Sequence, residues 1–373
     1  MAGQHLNYRS SAVGQVIREH RKARGLTQKQ LAGELGVEAR TLRMYENGER
    51  VLENISDLRR IADLLEINPV ELGLAAARQH ISTVEQIQDV VEQVAVLLPQ
   101  ACFIEARSTI DTLFRNVLRS VDNEDQAFLR ILAHAHCLAG QIHAITRRTR
   151  EVDHVLQHFQ EMARIARVLD DQTLLNIALS YQGDMLRRRG EKAQAIALLE
   201  LARECTPLAD AAARGHNALL LGRAYASNED YAGFEREIAC AEELAGDPQT
   251  LPASLLLLYT KGSVYSECVA VYAKMGKREK SRLALERAEA CLPANNLWGM
   301  LLKADRAEML IYHGDILQAM PLLIEVAHLA QMYGHQRLVE RLYRLQYYLD
   351  DQALLLRQAS RNLGEILQGT IER

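Results

Sequence analysis

Proline is scarce, with seven residues in a chain of 373, and aromatics make up only 5% with a single tryptophan. Alanine, leucine, glutamate, glutamine and arginine abound instead, so little in the sequence interrupts or disfavours helix. Apolar runs are short. The longest, around Leu255 to Leu258, falls far below the roughly 18 residues that a membrane span needs. Met1 to Ser11 is polar and has no apolar segment of the secretory type, so no signal peptide is expected and the expected location is the cytoplasm. Cysteine is also sparse. The six (Cys102, Cys137, Cys205, Cys240, Cys268 and Cys291) are scattered about one per presumed helix without a C-x-x-C pair. They read as small hydrophobes in a reducing compartment and not as a disulfide framework. No G-x-x-x-x-G-K-[ST], G-x-S-x-G or strand-linked G-x-G-x-x-G is present, and no nucleophile stands with a base. Neither catalysis nor a cofactor is expected. What is there, 48% hydrophobic and 25% charged residues, is the composition of a folded protein large enough for two or three domains.

Charge is unevenly placed. The whole chain carries a net charge of −4, yet residues 1–50 hold nine Lys/Arg against five Glu, an excess of four positive charges. The remainder therefore carries a net −8. A basic head on an acidic body is the asymmetry of a small domain that touches phosphate while the rest does not.

Between Ala12 and Leu74 the sequence predicts five short helices. The first spans about Ala12–Arg24, with Val13, Val16 and Ile17 on one stripe, Arg18, Arg21 and Lys22 near another, and Gly25 ending it. Thr27-Gln28-Lys29-Gln30 reads as a capping box that opens a second helix, burying Leu31 and Leu35 and stopping at Gly36. A third runs from Glu38 to Asn47 with Leu42 and Tyr45 inward. Asn54 can cap a fourth, and Asn68-Pro69 opens a fifth. Two short helices joined by the turn Leu35-Gly36-Val37-Glu38 make a helix-turn-helix unit.

The residues Ile17-Arg18, Arg21, Gly25-Leu26-Thr27-Gln28, Leu31-Ala32, Leu35-Gly36-Val37, Thr41-Leu42, Tyr45-Glu46-Asn47-Gly48 and Arg50, extended by Ile61-Ala62 and Leu64-Leu65, resemble the XRE-type (phage-repressor-like) helix-turn-helix domain. The resemblance covers about residues 12–74. It implies that the Glu38–Asn47 helix lies in the major groove of double-stranded DNA with its N-terminal half at base edges. Arg40 and Arg43 would then reach bases, an arginine pairing bidentately with guanine, while Ala39 offers only apolar contact to a thymine methyl. Gln28 matches the family's glutamine that touches backbone or an edge base, and Asn47 and Arg50 suit phosphate contact. Glu38 departs from the family's usual Ser or Thr at the helix cap. An acid there suits the helix dipole but repels phosphate, so it either turns away or reads a cytosine amine.

Beyond His80 the sequence predicts a helical array. Ser82-Thr83-Val84-Glu85 reads as a capping box, which places a linker at 75–82 between a head at 1–74 and a repeat domain at 83–373. Gly183, Leu186, Gly190, Ala195, Leu199, Ala202 and Pro207 have a spacing that resembles the tetratricopeptide (TPR) helix pair. Further copies carry Gly222, Tyr225, Ile238 and Ala241 (with Phe234 for the small residue), then Tyr272, Gly276, Ser281, Leu285, Ala288 and Pro293, then Ala307, Leu310, Gly314, Ala319 and Leu323. Gly140 starts a more degenerate unit. Helix pairs at 82–121 and 335–370 are expected as atypical caps. The fold class is all-α: a five-helix head followed by a TPR-like α-solenoid.

Projection of the repeat onto the concave face selects His134, Gln141, Ser180, Asp184, Arg187, His216, Arg223, Ser266, Glu308 and Tyr312, a polar lining suited to an extended peptide. Asn176 and Asn217 are placed to grip peptide amides. The same residues also fit the plain solvated side of the helices. Histidines at 134, 136, 143, 154 and 158 have partial metal-like spacing, but no glutamate follows the first of an H-E-x-x-H, so they read as helix-surface residues and no metal is expected. Arg187-Arg188-Arg189 and Arg147-Arg148-Thr149-Arg150 read as charges that complement helix ends or line the edge of the solenoid, and contact with a phosphate or a peptide carboxylate stays open for them.

A head of XRE type on a TPR-like array resembles the RRNPP-type regulators of bacteria. The resemblance implies a quorum-sensing transcription regulator, a homodimer on an inverted-repeat operator, whose array binds a short signalling peptide. Two alternatives stay open: an XRE regulator whose array binds a partner protein such as a toxin or a polymerase subunit, and a TPR scaffold with no DNA role.

Overall fold

The computed structural model describes residues 3–50, 52, 55–65, 67, 71–72, 84–117, 125–245 and 259–371. The chain divides into two compact units, residues 1–81 and 82–373.

The head contains α1 (Gly3–Ala23), α2 (Gln28–Leu35), α3 (Ala39–Glu46) and α4 (Ile55–Leu65). The capping box forms as the sequence predicts: Thr27 Oγ1 accepts from the Gln30 amide at 3.2 Å, and Gln30 Oε1 accepts from the Thr27 amide at 2.9 Å. Gly36 ends α2 in the left-handed conformation at φ 69°, where a side chain would be strained. Ile17, Leu31, Leu42, Ile61 and Leu65 form the core between these helices. A Cβ on Gly14 would lie 2.1 Å from the Tyr45 carbonyl oxygen, so α1 crosses the end of α3 backbone to backbone. Helix α1 begins ahead of the expected Ala12, since no proline stands in Gly3–Ser11 to interrupt it. The expected Asn54 cap, the fifth helix from Asn68-Pro69 and the Ser82 capping box lie outside the described residues.

The body is a series of antiparallel helix pairs: α5 (Val84–Leu97) with α6 (Phe103–Val117), α7 (Gln126–Thr146) with α8 (Val152–Val168), α9 (Gln172–Arg189) with α10 (Lys192–Cys205), α11 (Ala211–Ser227) with α12 (Tyr231–Leu244), α13 (Lys261–Lys274) with α14 (Arg278–Cys291), and α15 (Asn296–Tyr312) with α16 (Ile316–Met332). A final helix, α17, spans Gln336–Ile371. The TPR-like spacing has a direct physical cause at the crossings. A Cβ on Gly183 would lie 2.5 Å from Leu199, and one on Gly140 would lie 2.5 Å from Phe159. In the α13–α14 pair Ser281 donates to the Val269 carbonyl at 2.7 Å, and in the α15–α16 pair Ala307 and Ala319 are both fully buried. The helix pair expected at 335–370 is instead one helix of 36 residues. That stretch contains no proline, and its Leu, Arg and Gln content favours continuation.

The body also closes on itself. Leu297 at the start of α15 donates its amide to the Pro99 carbonyl (3.2 Å), and Asn296 donates to Gln100 (3.2 Å). Glu340 of α17 accepts from the amide and hydroxyl of Thr149 at 2.9 and 2.6 Å, and His335 meets Phe103 edge to face. The early and late elements of the body therefore meet, and α17 packs against α7 as well as α16.

Candidate functional site

In the head, α3 presents an exposed polar face. Glu38 caps it in extended conformation (φ −71°, ψ 145°) without a side-chain cap bond. Glu38, Arg40, Arg43, Asn47 and Arg50 are exposed, while Ala39 and Gln28 are half-buried, Ala39 against the head core. Arg40 and Arg43 stand one turn apart, and neither has a hydrogen bond or ion pair among the described residues. Arg50 lies over the Tyr45 ring, 5.8 Å from its centroid, and Asn47 donates to Glu49 at 3.0 Å. Gln28 is less free than the sequence suggests: its Nε2 donates to Glu46 Oε2 at 2.8 Å. Behind this face lies a pair that the sequence reading missed. Arg21, placed there on a basic surface stripe, is buried and bonds Glu46. Its signal was available, since an i, i+3, i+4 apolar face (Val13, Val16, Ile17) carries position 21 inward with it.

In the body, α9, α11, α13, α15 and α17 bring a charged cluster together. Arg187 donates to Asp184 Oδ1 through Nε and Nη2 (2.9 and 2.7 Å), and Arg188 donates to Asp184 Oδ2 (3.0 Å) and to the Ala144 carbonyl (2.9 Å). Arg223 pairs with Glu267 at 2.6 Å, and its other amino group approaches Asp184 at 3.8 Å. Arg341 joins Asp305 and Glu308 at 2.7 and 2.6 Å, and Ser266 donates to Asp305. Burial alone would raise Asp184, but Arg187, Arg188, Arg223 and Arg337 hold it well below the ordinary carboxylate range. Burial has the upper hand at Asp305 and pushes it upward despite Arg341.

The residues expected on a ligand-binding face are divided by the structure. Asp184, Arg187 and Arg223 belong to this cluster. Asn176, Ser180, His216 and Asn217 are buried inside the helix packing instead. Asn176 donates to Thr206 Oγ1 at 2.8 Å, and Asn217 donates to Ser180 Oγ (2.9 Å) and to the Leu199 carbonyl (3.1 Å). His216 is wedged against the rings of Tyr181 and Tyr259, and burial pushes it down to about 3. The i, i+4 row 176–180–184 drifts about 40° around the helix at each step, so one row passes from a packing face to an inner face.

His154 is exposed as the sequence suggests, but His134, His136, His143 and His158 are not surface residues. His136 and His158 place their Nδ1 atoms 3.1 Å apart, both rings packed on Phe114, and His143 stacks on His158 while Nε2 meets Asp111 at 3.0 Å. Burial pushes His136 to about 3 and His158 to about 4, so both are neutral near pH 7 and one Nδ1 donates to the other. Among the described residues no group of three or more His, Cys, Asp and Glu is arranged to hold a metal ion.

The head is a helix-turn-helix domain, the class of DNA-binding module that presents the second helix of the pair, and the body is a TPR-like array of helix pairs. Residues 12–74 match the family described as "Helix-turn-helix domain". Two solved structures are similar across most of the chain. One is Bacillus thuringiensis PlcR in complex with the peptide PapR7 and DNA, at 14% identity and a TM-score of 0.41, covering 82% of this chain and 99% of that one. The other is the apo form of the competence regulator ComR from Streptococcus vestibularis, at 13% identity and a TM-score of 0.38, covering 80% of this chain and 99% of that one. No curated protein matches. Among the described residues no helix is long and apolar enough to cross a membrane.

Proposed function

We propose that this protein is a sequence-specific transcription regulator that acts as a homodimer on an inverted-repeat operator and whose helical body senses a ligand, a short signalling peptide. The observation that carries the DNA reading is the exposed α3 face, where Arg40 and Arg43 stand unengaged one turn apart on the second helix of the pair. The ligand reading is supported by the inner polar cluster of the body, which brings together side chains from five helices that a bound molecule would bridge. Asp184, Arg187 and Arg223 are the contacts assigned here, with Ser266, Glu308 and Tyr312 beside them. Asn176 and Asn217 act by holding α9 and α11 in place.

The test is selection of bound fragments from random duplex DNA by the full chain, followed by gel shift on the enriched sequence. Enrichment of a palindromic site that Arg40→Ala and Arg43→Ala no longer bind supports the reading. No enrichment above bulk DNA overturns it.

A further inference from the structure

The inner cluster of the body is unbalanced. Arg187, Arg188, Arg223, Arg337 and Arg341 face Asp184, Glu267, Asp305 and Glu308, five guanidinium groups to four carboxyl groups. The pairing sharpens the deficit. Arg341 is paired with Asp305 and Glu308, and one amino group of Arg223 is paired with Glu267. Asp184 already receives both Arg187 and Arg188. Nothing remains for Arg337, which has no hydrogen bond or ion pair among the described residues. It stands on α17 one turn before Arg341 and three residues before Glu340, whose bonds to Thr149 fix this part of the helix against the end of α7. Arg188 reaches the same end of α7 through the Ala144 carbonyl. A second donor in the cluster, Nε of Arg223, is buried without a partner. An arginine stays charged in a protein, and a half-buried guanidinium crowded by like charges without a carboxylate of its own is unfavourable, so a group of this kind attracts a counter-anion.

We propose that Arg337, together with Arg188 and Arg223, holds an anionic oxyacid group, a carboxylate or a phosphate, of the ligand that the body senses. The planar fork of each guanidinium suits bidentate contact with either group. Burial and the neighbouring Arg188 and Arg223 push Arg337 well below the ordinary arginine value, the direction expected of a charge that lacks its partner. An anion bridging α9, α11 and α17 ties the last helix of the body to its middle, which gives the site a mechanical consequence. This inference rests on the reading of the inner face as the ligand site, but not on DNA binding.

The test uses the full chain in calorimetric titration and thermal unfolding with two probes, inorganic phosphate and succinate, in separate arms at an ionic strength fixed with sodium chloride. The wild type is expected to give a saturable response in at least one arm, and the responding arm identifies the oxyacid. Arg337→Gln is expected to melt higher than the wild type without either anion, because an unpaired charge is gone, and to bind the responding anion at least tenfold more weakly. Arg357→Gln, exposed farther along α17, is expected to behave as wild type. The proposal is overturned by no saturable response of the wild type in either arm, by equal affinity in Arg337→Gln, or by a lower melting temperature or failure to fold of that variant without anion, which would make Arg337 a structural contact. Failure of the regulator reading would appear separately, as absent operator binding with the anion response intact.

Discussion

Arg21 and Glu46 form a two-pronged ion pair inside the head, with Nε to Oε1 at 2.5 Å and Nη2 to Oε2 at 3.0 Å. The pair joins α1 to the last residue of α3. Arg21 Nη1 also holds the Leu26 carbonyl at 2.7 Å and Gln28 adds a third donor to Glu46, so the carboxylate links α1, α2 and α3. The orientation of α3 is thus set from behind by one buried carboxylate.

Glu46→Ala is expected to destabilise the head by about 3–5 kcal/mol, because it leaves the Arg21 charge buried and alone. Burial raises the Glu46 carboxyl, but the bonds from Arg21 and Gln28 and the Arg21 charge outweigh it and the net shift is downward. A lowered folded-state value means that this stabilisation is present above about pH 4.3, the unfolded value, and is lost as pH falls through the folded one. Urea unfolding of the full chain between pH 3 and pH 7, followed through the head transition, measures both effects. A head in Glu46→Ala as stable as wild type would contradict the account.

Arg40→Ala and Arg43→Ala are each expected to weaken operator binding by about 1–3 kcal/mol if the arginine grips a guanine, with helicity unchanged. Both side chains are exposed and make no hydrogen bond or ion pair among the described residues, so loss of binding with an unchanged melting temperature reports on the DNA contact and not on unfolding. Gel shift at fixed salt decides it. Two variants that bind like the wild type would move the reading surface away from α3.

What the sequence made legible follows how local its causes are. The Thr27 capping box, the Gly36 turn and the small residues at 183, 195, 281 and 319 each act on neighbours fixed by helical spacing, and they were readable. The long-range closures were not. The contacts of Pro99 with Leu297, Thr149 with Glu340, and Arg21 with Glu46 join residues whose approach depends on how the array as a whole winds. The inner face shows the boundary between the two regimes. Repeat projection selects Asp184, Arg187 and Arg223, which meet in the charged cluster, together with Ser180 and His216, which lie inside the helix packing, because a difference of tens of degrees around a helix separates the two settings. Arg337 lay outside the repeat and carried no local signal.

Acid is expected to loosen the body well above the pH at which carboxylates titrate. Burial pushes His134 and His158 to about 4 and His136, His216 and His335 to about 3. In the unfolded chain these groups take up protons near pH 6.5, so stability is complete above that value and falls as pH drops below it, by up to about 1.4 kcal/mol per pH unit for each group. His335 adds a specific reason, since its Nδ1 accepts the Leu338 amide at 3.1 Å and protonation removes that acceptor. Melting temperatures of the full chain at pH 7.5, 6.0 and 5.0 measure the effect. A body transition that does not move between 7.5 and 5.0 would show that these imidazoles are open to water.

Asn217→Ala is expected to act on stability before anything else. Its amide bonds Ser180 and the Leu199 carbonyl within a fully buried contact, and the alanine removes both bonds at a cost of about 1–3 kcal/mol. Calorimetric melting of the body supplies the value. An unchanged melting temperature would return Asn217 to the list of direct ligand contacts.

Dimerisation is expected to depend on the far half of α17 and not on its near half. Leu338 and Leu345 are buried against the array, and Leu342, Tyr348 and Leu349 pack beside the cluster of Ile311 and Ala319. Removing everything after Gly334 would therefore open the body itself, and a monomer obtained that way would say nothing about the interface. Past this point the helix continues with Leu354, Leu355, Leu356 and Leu363 all more than half exposed, an apolar surface that no element among the described residues covers. A chain ending at Asp351 keeps the packed half and loses the exposed one. Light scattering at micromolar concentration is expected to give a dimer for the full chain and a monomer of unchanged melting temperature for the shortened one, which would then bind half-sites but lose the tenfold or greater advantage of a paired operator. A full chain that is monomeric, or a shortened chain that remains dimeric, would place the partner contact elsewhere, with the exposed Leu317, Met320 and Ile324 of α16 the next surface to test.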